Sequence, residues 1–191
     1  LACIAIQSNQ NDMFGGQSIN CFDYAMAEGV GKSFRKAVVD EARKALIYRF
    51  EADEFLGEEP FKTDFKALLD FAACRYAESM DTERAKRGIQ AVGDALTKIL
   101  EQHEKPTRDA YVDAAAIYRL ACADVEEETH QAMEALIHNF NTLHSRAGAQ
   151  VPFSSINYGM DTSPEGRLAT RETLRASRHA RRARSACSRI S

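Results

Sequence analysis

One stretch breaks an otherwise helical pattern: HSRAGAQVPFSSINYGMDTSPEGR, His144 to Arg167. It opens where a long helical run ends and passes through a loop containing Gly148. It then crosses one extended segment, Val151 to Tyr158, and closes in a Gly-Met-Asp-Thr-Ser-Pro turn. Along the extended segment, Phe153, Ser155 and Asn157 face one side, and Ser154, Ile156 and Tyr158 face the other. A strand with polar groups on one face, entered from a glycine loop, suits the wall of a ligand cavity. Gly148 permits positive φ or close backbone approach. The planar fork of Arg146 suits a phosphate or a carboxylate.

The rest of the chain reads as helix. Phe34, Val38, Ala42, Ala45 and Leu46 recur about one turn apart and predict a helix of about 25 residues ending near Phe50. The acidic stretch Glu51 to Pro60 breaks it. Phe65, Leu68, Leu69, Ala72 and Ala73 predict a second helix over Asp64 to Ala77. Asp81 or Thr82 is placed to cap a third, with Ile89, Val92, Leu96, Ile99 and Leu100 inward and Pro106 closing it. A long run follows from Thr107 to Leu143. Its inward positions are Tyr111, Ala115, Tyr118, Cys122, Val125, Met133, Leu136, Ile137, Phe140 and Leu143. Leu1 to Ser8 is apolar, and Asn9 to Gln17, with Gly15-Gly16, reads as a loop. Val151 to Tyr158 is the one strand these patterns support.

Charge and cysteine usage narrow the classes. The 191 residues carry a net charge of −3, unevenly spread. Residues 167–191 hold eight arginines against the single acid Glu172, a net of +7, leaving −10 on the rest. The tail RHARRARSACSRIS has no lysine, no aromatic and no apolar period. It reads as the product of truncation or frameshift rather than a nucleic-acid arm. Cys3, Cys21, Cys74, Cys122 and Cys187 are odd in number and form no C-x-x-C pair, so neither a disulfide framework nor a zinc site is indicated. They fit reduced thiols of a cytoplasmic protein, and those before position 150 read as small buried hydrophobes. No apolar run approaches the roughly 20 residues that span a membrane.

Three motifs carry less than they suggest. Gly31-Lys32-Ser33 ends like a phosphate loop, but the pattern needs glycine where Met26 stands. Glu127-x-x-His130, with Glu134 and His138 on successive turns, has half of a di-metal bundle signature. No second E-x-x-H exists, so the reading is a solvated polar face. Ser154 and Ser155 have no histidine or acid partner for nucleophilic catalysis.

The His144 to Arg167 stretch resembles, almost residue for residue, a signature of the anaerobic (class III) ribonucleoside-triphosphate reductases, close to RAGAQVPFSSINYGTDTSPEGR. Met160 stands where that family usually has threonine, which exchanges a hydroxyl for a thioether in the turn. SNQNDMFGGQSI, Ser8 to Ile19, and ETHQAMEALIHNFNTL, Glu128 to Leu143, resemble the same family. The resemblance runs from about Leu1 to about Glu172 and fades after about Ala176.

The resemblance implies a mainly α fragment with one or two strands, part of a ten-stranded α/β barrel. In such enzymes a glycyl radical generates a thiyl radical that attacks the ribose of a ribonucleoside triphosphate, and formate commonly supplies electrons. It further implies a homodimer, a radical-SAM activating enzyme, ATP or deoxynucleotide effectors and a structural zinc, with no membrane and no nucleic acid as partner. Residues 1–143 would then be an effector and dimer-contact segment. Residues 144–167 would be relay loop, barrel strand and turn, and 168–191 an atypical tail. Ser145, Arg146, Ala147, Gly148, Ala149 and Gln150 match the relay loop. Ser155 and Asn157 fall near substrate, and Lys36 falls where the family tends to place a basic residue near the effector. No residue here matches the radical glycine or the thiyl cysteine, so the expectation is a middle segment that is inactive alone and itself binds no cofactor or metal. The alternative is a free-standing helical bundle for protein interaction or metal binding.

Overall fold

The computed structural model describes residues 4–6, 8–9, 16–51, 54–142 and 154–187, with side chains as far as Ala180. It is mainly helical, with two short strands. In chain order these are β1 (Gln17–Ile19), α1 (Phe22–Phe50), a 3₁₀ turn (Glu54–Leu56), α2 (Glu58–Leu68), α3 (Glu83–Gln102), α4 (Ala110–Thr142), β2 (Ser154–Ile156) and α5 (Pro164–Cys187). Residues 4–6 and 8–9 are helical. Two units form: Gly29–Glu126, and Leu1–Glu28 together with Glu127–Ser191. Among the described residues no helix is long and apolar enough to cross a membrane.

The Gly29–Glu126 unit is built on the expected apolar faces. Phe34, Val38, Ala42 and Leu46 of α1 are buried, as are Val92, Leu96, Ile99 and Leu100 of α3. Phe34 meets Tyr118 and Tyr76 edge-on, with ring centroids 5.4 and 6.2 Å apart. Both tyrosines reach a polar partner, Tyr118 donating to the Arg75 carbonyl at 2.6 Å and Tyr76 to Glu126 at 2.7 Å. Buried phenols are tolerated when the hydroxyl is satisfied. Gly88 lets α3 approach α4 closely, since a Cβ there would overlap the Tyr118 ring. Thr82 caps α3, its hydroxyl accepting from the Ala85 N–H at 3.2 Å. At the other end, Glu104 takes φ 52° and the Lys105 N–H reaches the Leu100 carbonyl at 2.8 Å. The helix is therefore closed by a left-handed cap before Pro106.

Several expectations are corrected here. α2 starts at Glu58, so Pro60 lies inside a helix rather than in a break. Its position in the first turn, where N–H groups have no helical partner, makes proline harmless. α2 stops at Leu68, well short of Ala77. The Asp70 carboxylate accepts from the Ala72 and Ala73 N–H groups at 2.9 and 3.3 Å, and this local turn competes with the helix. On α4, Tyr111 and Ala115 are exposed, while Ala114, Ile117 and Ala121 are buried beside Tyr118 and Cys122. Cys74 and Cys122 are buried as expected, but Cys21 is exposed at φ 52° in the turn before α1.

In the other unit, β1 and β2 pair in parallel, Gln17 with Ser154, Ser18 with Ser155 and Ile19 with Ile156. β1 is a second strand, three residues long and too short for any alternation to be read from sequence. Phe22, Met133, Leu136 and Ala176 form the buried cluster, with Ile19, Ile156, Ile137 and Phe140 packed against it. Of the expected strand Val151 to Tyr158, residues 151–153 lie outside the described residues, and β2 ends at Ile156 rather than Tyr158.

Candidate functional site

The end of β2, the turn after it and the start of α5 form one polar construction around Asp23. The ladder continues past the strands: the Asn157 N–H donates to the Ile19 carbonyl, and the Phe22 N–H donates to the Asn157 carbonyl, both at 2.9 Å. This sets the first turn of α1 against the turn after β2. Asp23 is only 1% exposed. One of its oxygens accepts from three successive backbone N–H groups, Gly159 at 2.8 Å and Met160 and Asp161 at 2.7 Å. Burial pushes the Asp23 carboxyl up, but hydrogen bonds from the N–H groups of Asp161, Gly159, Met160 and Tyr24 outweigh it and hold the group below its ordinary value. Asp23 therefore stays an anion and fixes the turn.

The next residues cap α5. Ser163 precedes Pro164, the first helical residue, and its hydroxyl accepts from the Gly166 N–H at 3.1 Å. Asp161 accepts from the Ser163 N–H at 2.8 Å and from its hydroxyl at 2.9 Å. A carboxylate here also complements the positive end of the helix. Gly166 is required because a Cβ would overlap the Asp161 side chain. The pattern Asp-x-Ser-Pro-x-Gly is thus a helix start held in place by its preceding turn.

The residues singled out from sequence are distributed unevenly. Ser155 and Asn157 are exposed on the same face of β2, and the alternation expected for Ser154 to Tyr158 holds. Asn157 donates from its side chain to Asn20 at 3.0 Å. Lys36 is exposed on α1. Ser145, Arg146, Ala147, Gly148, Ala149 and Gln150 lie outside the described residues. Met160 is 70% exposed, and the turn uses its backbone rather than its side chain: its carbonyl accepts from the Tyr24 hydroxyl at 3.3 Å. Asp23 and Asp161 were not singled out by sequence. The helix-start signature Ser163-Pro164 was readable and points to Asp161, whereas nothing local marks Asp23.

Beside the turn, Asp161, Thr170, Arg167, Arg171, Arg175 and Arg178 help line a cavity of about 780 Å³, with Arg171 and Arg175 also paired to Glu172. The four arginines recur at helical spacing along one face of α5. Guanidinium forks in such a recess suit phosphate or carboxylate groups. The described cysteines do not suit a zinc tetrad. Burial pushes the Cys74 thiol up to about 12 and the Cys122 thiol to about 11, and zinc binds thiolates. Gly31-Lys32-Ser33 lies within α1, without the glycine-rich turn a phosphate loop needs.

The structure is thus mainly helical, with one short parallel strand pair and a polar turn beyond the C-terminal end of β2. Comparison with family models gives the assignment. The model for anaerobic ribonucleoside-triphosphate reductase matches residues 1–183, so this chain belongs to that family. The match continues past Ala176 into the arginine-rich tail, where α5 also continues. A search of curated proteins finds no match.

Proposed function

We propose that this chain is a segment of an anaerobic, oxygen-sensitive reductase that converts ribonucleoside triphosphates to deoxyribonucleoside triphosphates for DNA synthesis in the cytoplasm. In this reading β1 and β2 are strands of the ten-stranded barrel. The helices form the effector and dimer contact, Lys36 lies near the effector, and Ser145 to Gln150 relay effector identity to the substrate. Ser155 and Asn157, on the open face of β2, lie towards the substrate. The observation that carries the reading is the family match over residues 1–183, nearly the whole chain. The arginine-lined cavity beside the same turn supports it, since its chemistry suits the phosphate chain of a nucleoside triphosphate.

The glycyl radical, formed by a radical-SAM activating enzyme with formate as reductant, would supply the hydrogen-abstraction chemistry from outside this chain. What the chain's own residues contribute is position: Asp23 locks the turn, Ser163 and Asp161 fix the start of α5, and β1 with β2 fixes Ser155 and Asn157. The chain alone should therefore be inactive. Formate-dependent conversion of CTP to dCTP by the purified chain, with the activating enzyme present, would overturn that. In a full-length enzyme carrying this segment, Gly148→Val should flatten the effector-dependent choice among ribonucleotides without changing the radical yield seen by paramagnetic resonance. Retention of the full effector pattern would remove the relay assignment. Coupling of this kind is worth about 1–3 kcal/mol, a change in preference of roughly 5- to 150-fold.

A further inference from the structure

The E-x-x-H segment of α4 gains in the folded chain the partners it lacks in sequence. His130, Glu134 and His179, the last from α5, bring one ligand atom each to within 4.8 Å of one another. His130 Nε2 lies 3.3 Å from Glu134 Oε1, and His179 Nδ1 lies 3.6 Å from the same oxygen. A tetrahedral ion with bonds of 2.0–2.2 Å places its ligand atoms about 3.3–3.6 Å apart. Two edges of such a tetrahedron are already present.

The other nitrogen of His130 is held from behind. Nδ1 lies 3.0 Å from Glu172 Oε2, and Glu172 is 2% exposed. The second oxygen of Glu172 accepts from Arg171 Nε at 3.0 Å. A buried carboxylate beside Nδ1 orients the ring, with Nε2 on the side of Glu134. This carboxylate–histidine arrangement is the usual support behind a metal-binding imidazole. Next to the cluster, Glu134, His138, Asn141 and His179 help line a cavity of about 370 Å³, room for a water to complete the coordination.

We infer that His130, Glu134 and His179 bind a divalent transition-metal ion of the zinc type, oriented by Glu172, and that the ion staples α4 to α5. Two imidazoles and one carboxylate favour zinc, cobalt or nickel over magnesium or calcium, which prefer an all-oxygen shell. The site is separate from the cysteine zinc of the family, and this inference does not depend on the proposed reductase function.

The test uses the 191-residue chain after treatment with a chelator. Added Co²⁺ should give a visible d–d absorption band of tetrahedral or five-coordinate intensity, displaced by Zn²⁺, and Zn²⁺ but not Mg²⁺ should raise the thermal midpoint. His179→Gln and His130→Gln should each abolish the band while circular dichroism retains the helical signal. Glu172→Gln should weaken Co²⁺ binding by about 10- to 100-fold. Cys21→Ser should leave the band unchanged. As a second readout, the ring resonances of His130 and His179 should broaden or shift on Co²⁺ addition. The inference is overturned if wild type shows no band and no Zn²⁺ stabilisation, if His179→Gln binds as tightly as wild type, or if Cys21→Ser removes binding.

Discussion

Phe34 and Asp23 lie on the same helix, both almost fully buried, and their surroundings could hardly differ more. In the Gly29–Glu126 unit, Phe34 is walled by the rings of Tyr76 and Tyr118. In the unit formed by Leu1–Glu28 and Glu127–Ser191, Asp23 is walled by the N–H groups of Gly159, Met160 and Asp161. The first position needs only apolar shape, which many side chains supply. The second needs an acceptor at one point, because three backbone donors converge there on one carboxylate oxygen. The unit that holds the strand and its turn is therefore the one less tolerant of chemical change at its buried polar positions, and the one in which such changes should report on geometry rather than on packing.

The largest effect expected is in the apolar unit. Phe34→Ala removes a buried ring from between two others and should destabilise by about 3–5 kcal/mol, read as a lowered urea midpoint by circular dichroism. A loss below 1 kcal/mol would mean that this core is loosely packed. Gly88→Ala should follow at about 1–3 kcal/mol, because the added methyl meets the Tyr118 ring. Tyr118→Leu in the same chain should relieve part of that loss; strict additivity would show that the two do not touch.

In the polar unit, Asp23→Ala should cost about 1–3 kcal/mol, and Asp23→Asn less, since an amide oxygen still accepts. Amide exchange at Gly159, Met160 and Asp161 should accelerate in the alanine variant; unchanged protection would break the proposed lock. Asp23 also makes a prediction about pH. Its folded pKa is lowered from 3.8, so the unfolded chain takes up the proton first. Its contribution is fully present above about pH 4 and is lost as pH falls below that through the folded value. Wild type should lose stability over this acid range more steeply than Asp23→Asn, and equal slopes would contradict the assignment. The smallest effect belongs to Met160→Thr. Its side chain is exposed, so restoring the family residue should change stability by no more than about 0.5 kcal/mol.

The legible parts of the fold are those where one period decides the outcome. The faces Phe34-Val38-Ala42-Leu46 and Val92-Leu96-Ile99 repeat over several turns, and each repeat confirms the last. The end of α2 was misplaced because Leu68-Leu69-Ala72-Ala73 continues a helical period that the single side chain of Asp70 overrides. β1 was missed because three residues carry no period. Ser155 and Asn157 stand out in sequence through the irregular signature around them, and their shared exposed face agrees with strand alternation. Asp23 was not found, because its three donors lie far along the chain. The E-x-x-H segment reads from sequence as a polar face, because the α5 histidine that meets Glu134 is not part of a second copy of the motif.

By itself the sequence determined the family, the helical character, the apolar faces and the presence of one exceptional strand and turn. These depend on local patterns, in which a residue's neighbours in the chain are also its neighbours in space. The tertiary structure alone decided which anion receives the turn after β2, which strand pairs with β2, and which histidine meets Glu134. Each of those depends on a contact between residues far apart in the chain, and a single hydrogen bond or imidazole leaves no repeated mark in the sequence from which its partner can be read.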